Sequence, residues 1–159
     1  MDLMSGIVVL SIMVLIFALS WNDLVARWHA SQNYREMETA ALFASEALMG
    51  TSGEPRGWES LPVMNSSGLT SFGLVSGRNE LNKLKVEHLV AANATSYDVV
   101  RERLGVQRYQ LGIRFLDLNR TQVFYEFGNF AGAMNPSVVV ERIGILENKP
   151  VLVRMEVWQ

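Results

Sequence analysis

Three asparagines carry the one covalent-modification motif in this chain. Asn65, Asn93 and Asn119 each open an Asn-x-Ser/Thr triplet (Asn-Ser-Ser, Asn-Ala-Thr and Asn-Arg-Thr), the acceptor pattern for a glycan on the side-chain amide. Asn135 is followed by Pro136 and is disqualified. All three acceptors fall in stretches that read as loops or turns, where such a residue must stand. Other chemistry finds little to work with. No cysteine occurs, which removes disulfides, thiolate nucleophiles and thiolate metal sites. The two histidines are His29 and His88. His29 has no His or carboxylate four residues to either side, so both read as surface or boundary residues and no metal site is expected. No nucleotide-binding loop, G-x-S-x-G or H-E-x-x-H is present. Glu141 and Glu156 are expected to face each other across strands as a solvated carboxylate pair. The sequence therefore predicts no catalytic residue and no cofactor. A net charge of −2 supplies no basic field for nucleic acid.

What must position these residues is an unequal chain. Leu3–Asn22 holds no charge, and fourteen of its residues are large and apolar, among them Leu3, Ile7, Leu10, Val14, Phe17 and Trp21. Burying them is worth roughly 20–40 kcal/mol, and a run of about 20 apolar residues is what a bilayer core takes. The run is longer than the apolar part of a secretory signal, no Lys or Arg precedes it, and no small-x-small site ends it, so a cleaved signal is not expected. Met1 stands either as an initiator or as the residue left after a basic leader is removed. Between Ile7 and Met49 there is no Pro and no Gly, which predicts one helix continuing well past membrane length. In its second half Leu24, Trp28, Tyr34, Met37, Ala41, Ala44 and Leu48 are expected to form an apolar stripe, with Gly50 as C-cap and Pro55 beyond.

The remainder reads as a small α+β domain. Thr51–Gly77 is rich in Gly, Pro, Ser and Thr and reads as loop, pinned to the core by Trp58 and Phe72. Asn79–Leu89 reads as a short helix with Leu81, Leu84 and His88 on one side. Tyr97–Leu104 reads as a second, capped by Thr95 or Ser96 and ended by Gly105. Alternation at Tyr109, Leu111, Ile113 and Phe115, at Val123, Tyr125 and Phe127, through Ser137–Leu146, and at Val151, Val153, Met155 and Val157 predicts four strands in two hairpins, turning at 117–120 and 147–150. The expected fold is a long N-terminal helix packed on a four-stranded antiparallel sheet. Its parts are 1–49 (1–22 for membrane or filament core, 23–49 amphipathic) and a surface domain at 50–159.

This layout resembles the archaeal type IV pilin-like proteins with class III signal peptides. The resemblance rests on Met1–Leu19 (MDLMSGIVVLSIMVLIFAL), the helix continuing through Trp21–Met49, the segment Thr51–Glu59 after it, and the helix Tyr97–Gly105 leading into paired strands. It spans the whole chain. It implies a type IV pilin-like fold and a subunit of a cell-surface filament, held in the membrane and then polymerised with copies of itself through the apolar helix. It also implies three partners: a prepilin peptidase, an assembly ATPase and a membrane platform protein. Bacterial type IV pilins carry a glutamate one turn into this helix, thought to pair with a neighbour's terminal amine. Here Ser5 stands near that place and Asp2 is the nearest acid, which either takes the charge pairing, with Met1 as the mature terminus, or favours the helix N-terminus. The competing expectation is a monomeric membrane-anchored surface protein or a minor pseudopilin of a secretion machine.

Overall fold

The computed structural model describes residues 3–61, 68–130 and 136–159, with side chains from Gly6 onward within the first helix. Helix α1 runs from Leu3 to Gly50 without a break, consistent with the absence of Pro and Gly between Ile7 and Met49. Two compact units divide it: one ends at Glu36 and the other is Met37–Gln159.

Within the second unit, the last turns of α1 bury Met37, Ala41, Ala44, Ser45 and Leu48. Their spacing of four, three, one and three keeps them on one helical face. The helix end finds its partners in the loop beyond Gly50. The Thr51 hydroxyl donates to the Ala47 carbonyl at 2.8 Å, and the Leu74 amide donates to the Leu48 carbonyl at 2.9 Å, so two C-terminal carbonyls left over by the helix find donors. The loop between them is anchored from inside. Trp58 and Phe72 are buried, their rings meet edge-on at 5.1 Å, and the Trp58 indole donates to the Gly73 carbonyl at 3.0 Å. A Cβ on Gly73 would run into the Thr51 carbonyl oxygen and the Gly53 amide, so the chain passes here only because this residue has no side chain.

The sheet has six strands in the order β1-β2-β5-β6-β3-β4: β1 Val75–Gly77, β2 Glu80–Leu81, β3 Gln110–Leu116, β4 Val123–Phe127, β5 Ser137–Leu146 and β6 Lys149–Trp158. This corrects the four-stranded antiparallel expectation. The four predicted strands are present and antiparallel to their neighbours, but β2 adds to β5 in parallel, which makes the sheet mixed. Two- and three-residue strands show no alternation to read. They form because Asn79 takes a left-handed turn at φ 59° and its carbonyl accepts from the Ile145 amide at 2.8 Å, covering a β5 edge that would otherwise stand open.

Helix α2 accordingly starts at Lys83 rather than Asn79 and ends at Ala91, with the Asn82 side chain accepting from the Lys85 amide. Its buried residues are Lys85, Val86 and Leu89, while Leu84 and His88 are exposed. The predicted face was turned because a lysine occupies the apolar stripe. Helix α3 is Tyr97–Arg103, with Ser96 as N-cap but no capping bond from its side chain. Cross-strand pairs Leu111–Val157, Ile113–Met155 and Phe115–Val153 form the centre of the core, joined by α1, α2 and α3 through Leu48, Leu89 and Val100. A long apolar helix followed by a sheet is compatible with a pilin-like layout. Its expected signature in stability is asymmetric. Leu48→Ala should cost about 2–5 kcal/mol, whereas Phe43→Ala, at a residue 71% exposed on the same helix, should stay within about 0.5 kcal/mol, both read from denaturant midpoints.

Candidate functional site

From Ile7 to Trp21 the helix carries exposed apolar side chains on every side. Ile7, Leu10, Val14, Phe17 and Trp21 are between 55% and 68% exposed. So are the residues that fill the other sides, including Val9, Ile12 and Ile16, at a little over half exposed. Leu3 lies in α1, but its side chain is outside the described residues, as is Asp2 altogether. Among the described residues this is the one helix long and apolar enough to cross a membrane.

The charge-free surface ends in a defined band. Phe17 stacks with Trp21 at 6.1 Å, then Asp23 and Arg27 pair at 2.8 Å one turn apart, and Trp28 meets His29 edge-on at 5.3 Å. Both ion-pair partners are exposed, so the pair is worth about 0.3–0.5 kcal/mol to the helix. Aromatic rings on either side of the first charges are what a water–lipid boundary selects. The expected stripe is corrected here. Leu24 and Trp28 are 60% and 58% exposed and Tyr34 is 44% exposed, and burial begins only at Met37. The step from Trp28 to Tyr34 is six residues, about 240° around a helix after a full turn is removed, so Leu24 and Trp28 are out of phase with the buried face.

The candidate acceptors separate. Asn65 lies outside the described residues. Asn93 is exposed on a 3-10 turn at Ala92–Ala94, and its Oδ1 accepts from the Gly128 amide at 2.9 Å, leaving Nδ2 as the atom that bond does not use. Asn119 is exposed in the turn after β3. That turn is held by Asp117, whose Oδ1 accepts from the Gln122 amide at 2.7 Å and Oδ2 from the Thr121 hydroxyl at 2.8 Å. The Gln122 amide first, and the Thr121 hydroxyl with it, hold the Asp117 carboxyl below its ordinary 3.8, so the turn keeps its acceptor at neutral pH and loses it only as pH falls through that lowered value. The expected Glu141–Glu156 pairing is not found. Register places Glu141 opposite Arg154 and Glu156 opposite Val139, with ion pairs Arg120–Glu141 at 2.6 Å and Arg154–Glu156 at 3.7 Å.

Sequence reasoning missed Lys85, whose side chain is 3% exposed. The signal was available, since Leu81, Lys85 and Leu89 are spaced by four. The charge hid it. No family model, no curated protein and no solved structure matches the chain.

A carboxylate at the middle of this surface should be felt by a membrane and not by the sheet. Val14→Asp places one there at a cost of about 2.5–3.5 kcal/mol at bilayer depth. The share of protein retained in membranes after alkaline extraction should fall severalfold, with the unfolding midpoint of the second unit unchanged.

Proposed function

We propose that this chain is a structural subunit of an extracellular type IV pilus-like filament, held in the membrane before assembly and polymerised through α1. The observation that supports it is the exposed apolar circumference from Ile7 to Trp21. A surface apolar on every side can be shielded only by surroundings on every side. Lipid provides this before assembly, and copies of the same helix provide it afterwards, packed in a bundle with the sheet domains outside. The role is structural rather than catalytic. A prepilin peptidase, an assembly ATPase and a membrane platform protein would act on the chain in sequence.

The alternative is a monomer anchored in the membrane at the cell surface, or a minor pseudopilin. The Trp21–Asp23–Arg27–Trp28 band favours it, being an arrangement suited to a permanent membrane boundary. Helical imaging of surface appendages separates the two. The filament reading expects residues 7–21 buried against neighbouring copies, and expects Val14→Asp to abolish filaments while leaving a folded domain. Normal filaments from that variant, or wild-type protein found only as single copies ringed by lipid, would sink it.

We further propose that the sequons are occupied, because Asn93 and Asn119 are exposed in turns. Peptides containing Asn65, Asn93 or Asn119 from the native source should carry hexose-scale added mass. Unmodified masses at all three would end this part of the reading.

A further inference from the structure

Strand β3 stops short of its neighbours. Its last residue, Leu116, lies opposite Leu152 of β6, and the chain then leaves the sheet in the turn held by Asp117. Strand β6 begins three residues before Leu152, at Lys149. Beyond the end of β3 a strand is therefore missing between β6 and β4. The notch this leaves, of about 600 Å³, is walled by Val123, Phe124, Tyr125, Leu146, Pro150 and Val151. Val123 and Phe124 are 47% and 42% exposed, so its walls are apolar and open to solvent. A further strand is not what fits. The Ile145 amide points away from β6, to the Asn79 carbonyl. The backbone of its register partner Pro150 accordingly points away from β5 and into the notch, where proline has no N–H to offer. The notch is suited to apolar side chains instead.

The rim carries charge, and its carboxylates are engaged. Glu147 pairs with Lys83 at 2.8 Å, and Asp117 accepts from its own turn. Lys149 is exposed and, among the described residues, enters no ion pair. A fitting occupant is apolar with a carboxylate beside it. The same compact unit, Met37–Gln159, presents that combination elsewhere on its surface. Phe43 is 71% exposed, more than any other large apolar side chain described, and Leu42 is 47% exposed. Glu46 stands three and four residues beyond them, between the two on the helix surface. Its side chain is 71% exposed and lies 3.4 Å from Arg142. Phe43 is not among the walls of the notch in its own copy, so neither feature is satisfied within one molecule. We propose that the notch receives Phe43 and Leu42 of a second copy of this chain, with Glu46 of that copy paired to Lys149. The donor keeps an empty notch and the acceptor a free Phe43. The contact is thus head-to-tail, and it repeats until the rotation closes a ring or a filament grows. It rests on the filament reading for its occupant, and adds to that reading a contact made by the second unit.

The test uses the full chain, in its native membranes and in isolated surface appendages. The chain has no cysteine of its own, so Glu46→Cys and Lys149→Cys, singly and together, introduce thiols at two exposed sites for a short bis-maleimide to join. The double variant should give a ladder of dimers, trimers and higher species, and each single variant should stay monomeric. Phe43→Ala in the double-variant background should weaken the ladder about tenfold or more, with the unfolding midpoint unchanged. Three results would overturn the proposal. They are no ladder from the double variant, which leaves the notch to a small apolar ligand or an unlike chain; dimers from a single variant, which mark a symmetric contact; and a ladder that Phe43→Ala leaves intact. Imaging of wild-type appendages decides the filament reading separately. Filaments without a ladder overturn this contact alone, whereas a ladder in membranes without filaments supports the contact and sinks the filament.

Discussion

An α-helix that is apolar on every side has no orientation in which one sheet can shield it. Beyond Met37, α1 has a single buried face, spaced for one neighbour, and the chain's own core covers it. Before Glu36 the apolar side chains point in all directions, and no arrangement of a chain with one sheet would cover them. The same unbroken helix thus meets two incompatible demands. One is solved inside the protein, and the other can be solved only by what surrounds it. The hydrophobic term is non-directional, so it does not distinguish lipid tails from the Leu, Ile and Val of another copy. On the proposed reading, that indifference is what would let one surface serve first in a membrane and then in a polymer.

In the second unit the central strands of the sheet are covered on both faces. Strand β6 buries Val151, Val153, Met155 and Val157 on one face and Leu152 and Trp158 on the other. The second face has its own local lid. Phe130 lies on Gly112, where a side chain would collide with its ring, and is flanked by Trp158 at 5.9 Å and by the Arg114 guanidinium at 3.6 Å from the ring centre. Arg114 is held in turn by Glu126 at 2.7 Å. Each link is modest at a part-exposed site, but together they close the outer face of the central strands.

Much of this was legible in the sequence, and the failures share a cause. Strand β5 begins and ends where its β-branched run does, and β4 where its alternation does. The turn between β5 and β6 is carried by Glu147 and Asn148 at φ 52° and 62°, two left-handed residues whose geometry matches strand twist. The apolar helix was fully legible because it needs only composition and length. What stayed hidden was assembled from distant pieces. Strands β1 and β2 exist through a bond from Ile145 to Asn79. The Asn93 side chain is fixed by Gly128, which comes directly after β4. Buried Lys85 pairs with Glu59 and donates to the Ser52 carbonyl, both more than twenty residues away in the chain. Periodicity also misled where it was carried across the six-residue step after Trp28, because spacing preserves a face only when the accumulated rotation returns to it.

The choice between a permanent anchor and an assembling subunit turns on how far along α1 the uncovered apolar surface extends. A bilayer core accommodates about 20 residues of helix, and Ile7–Trp21 falls within that. Within the second unit, Leu42 and Phe43 are 47% and 71% exposed on a helix whose other face is buried in the core. Single exposed apolar residues are ordinary, but here they recur on one element, past the point that lipid can reach. An anchor gains nothing from apolar side chains outside the bilayer. A helix packed against its own copies would use them, and the exposed Leu42 and Phe43 are what support the proposed assembly over the proposed anchor.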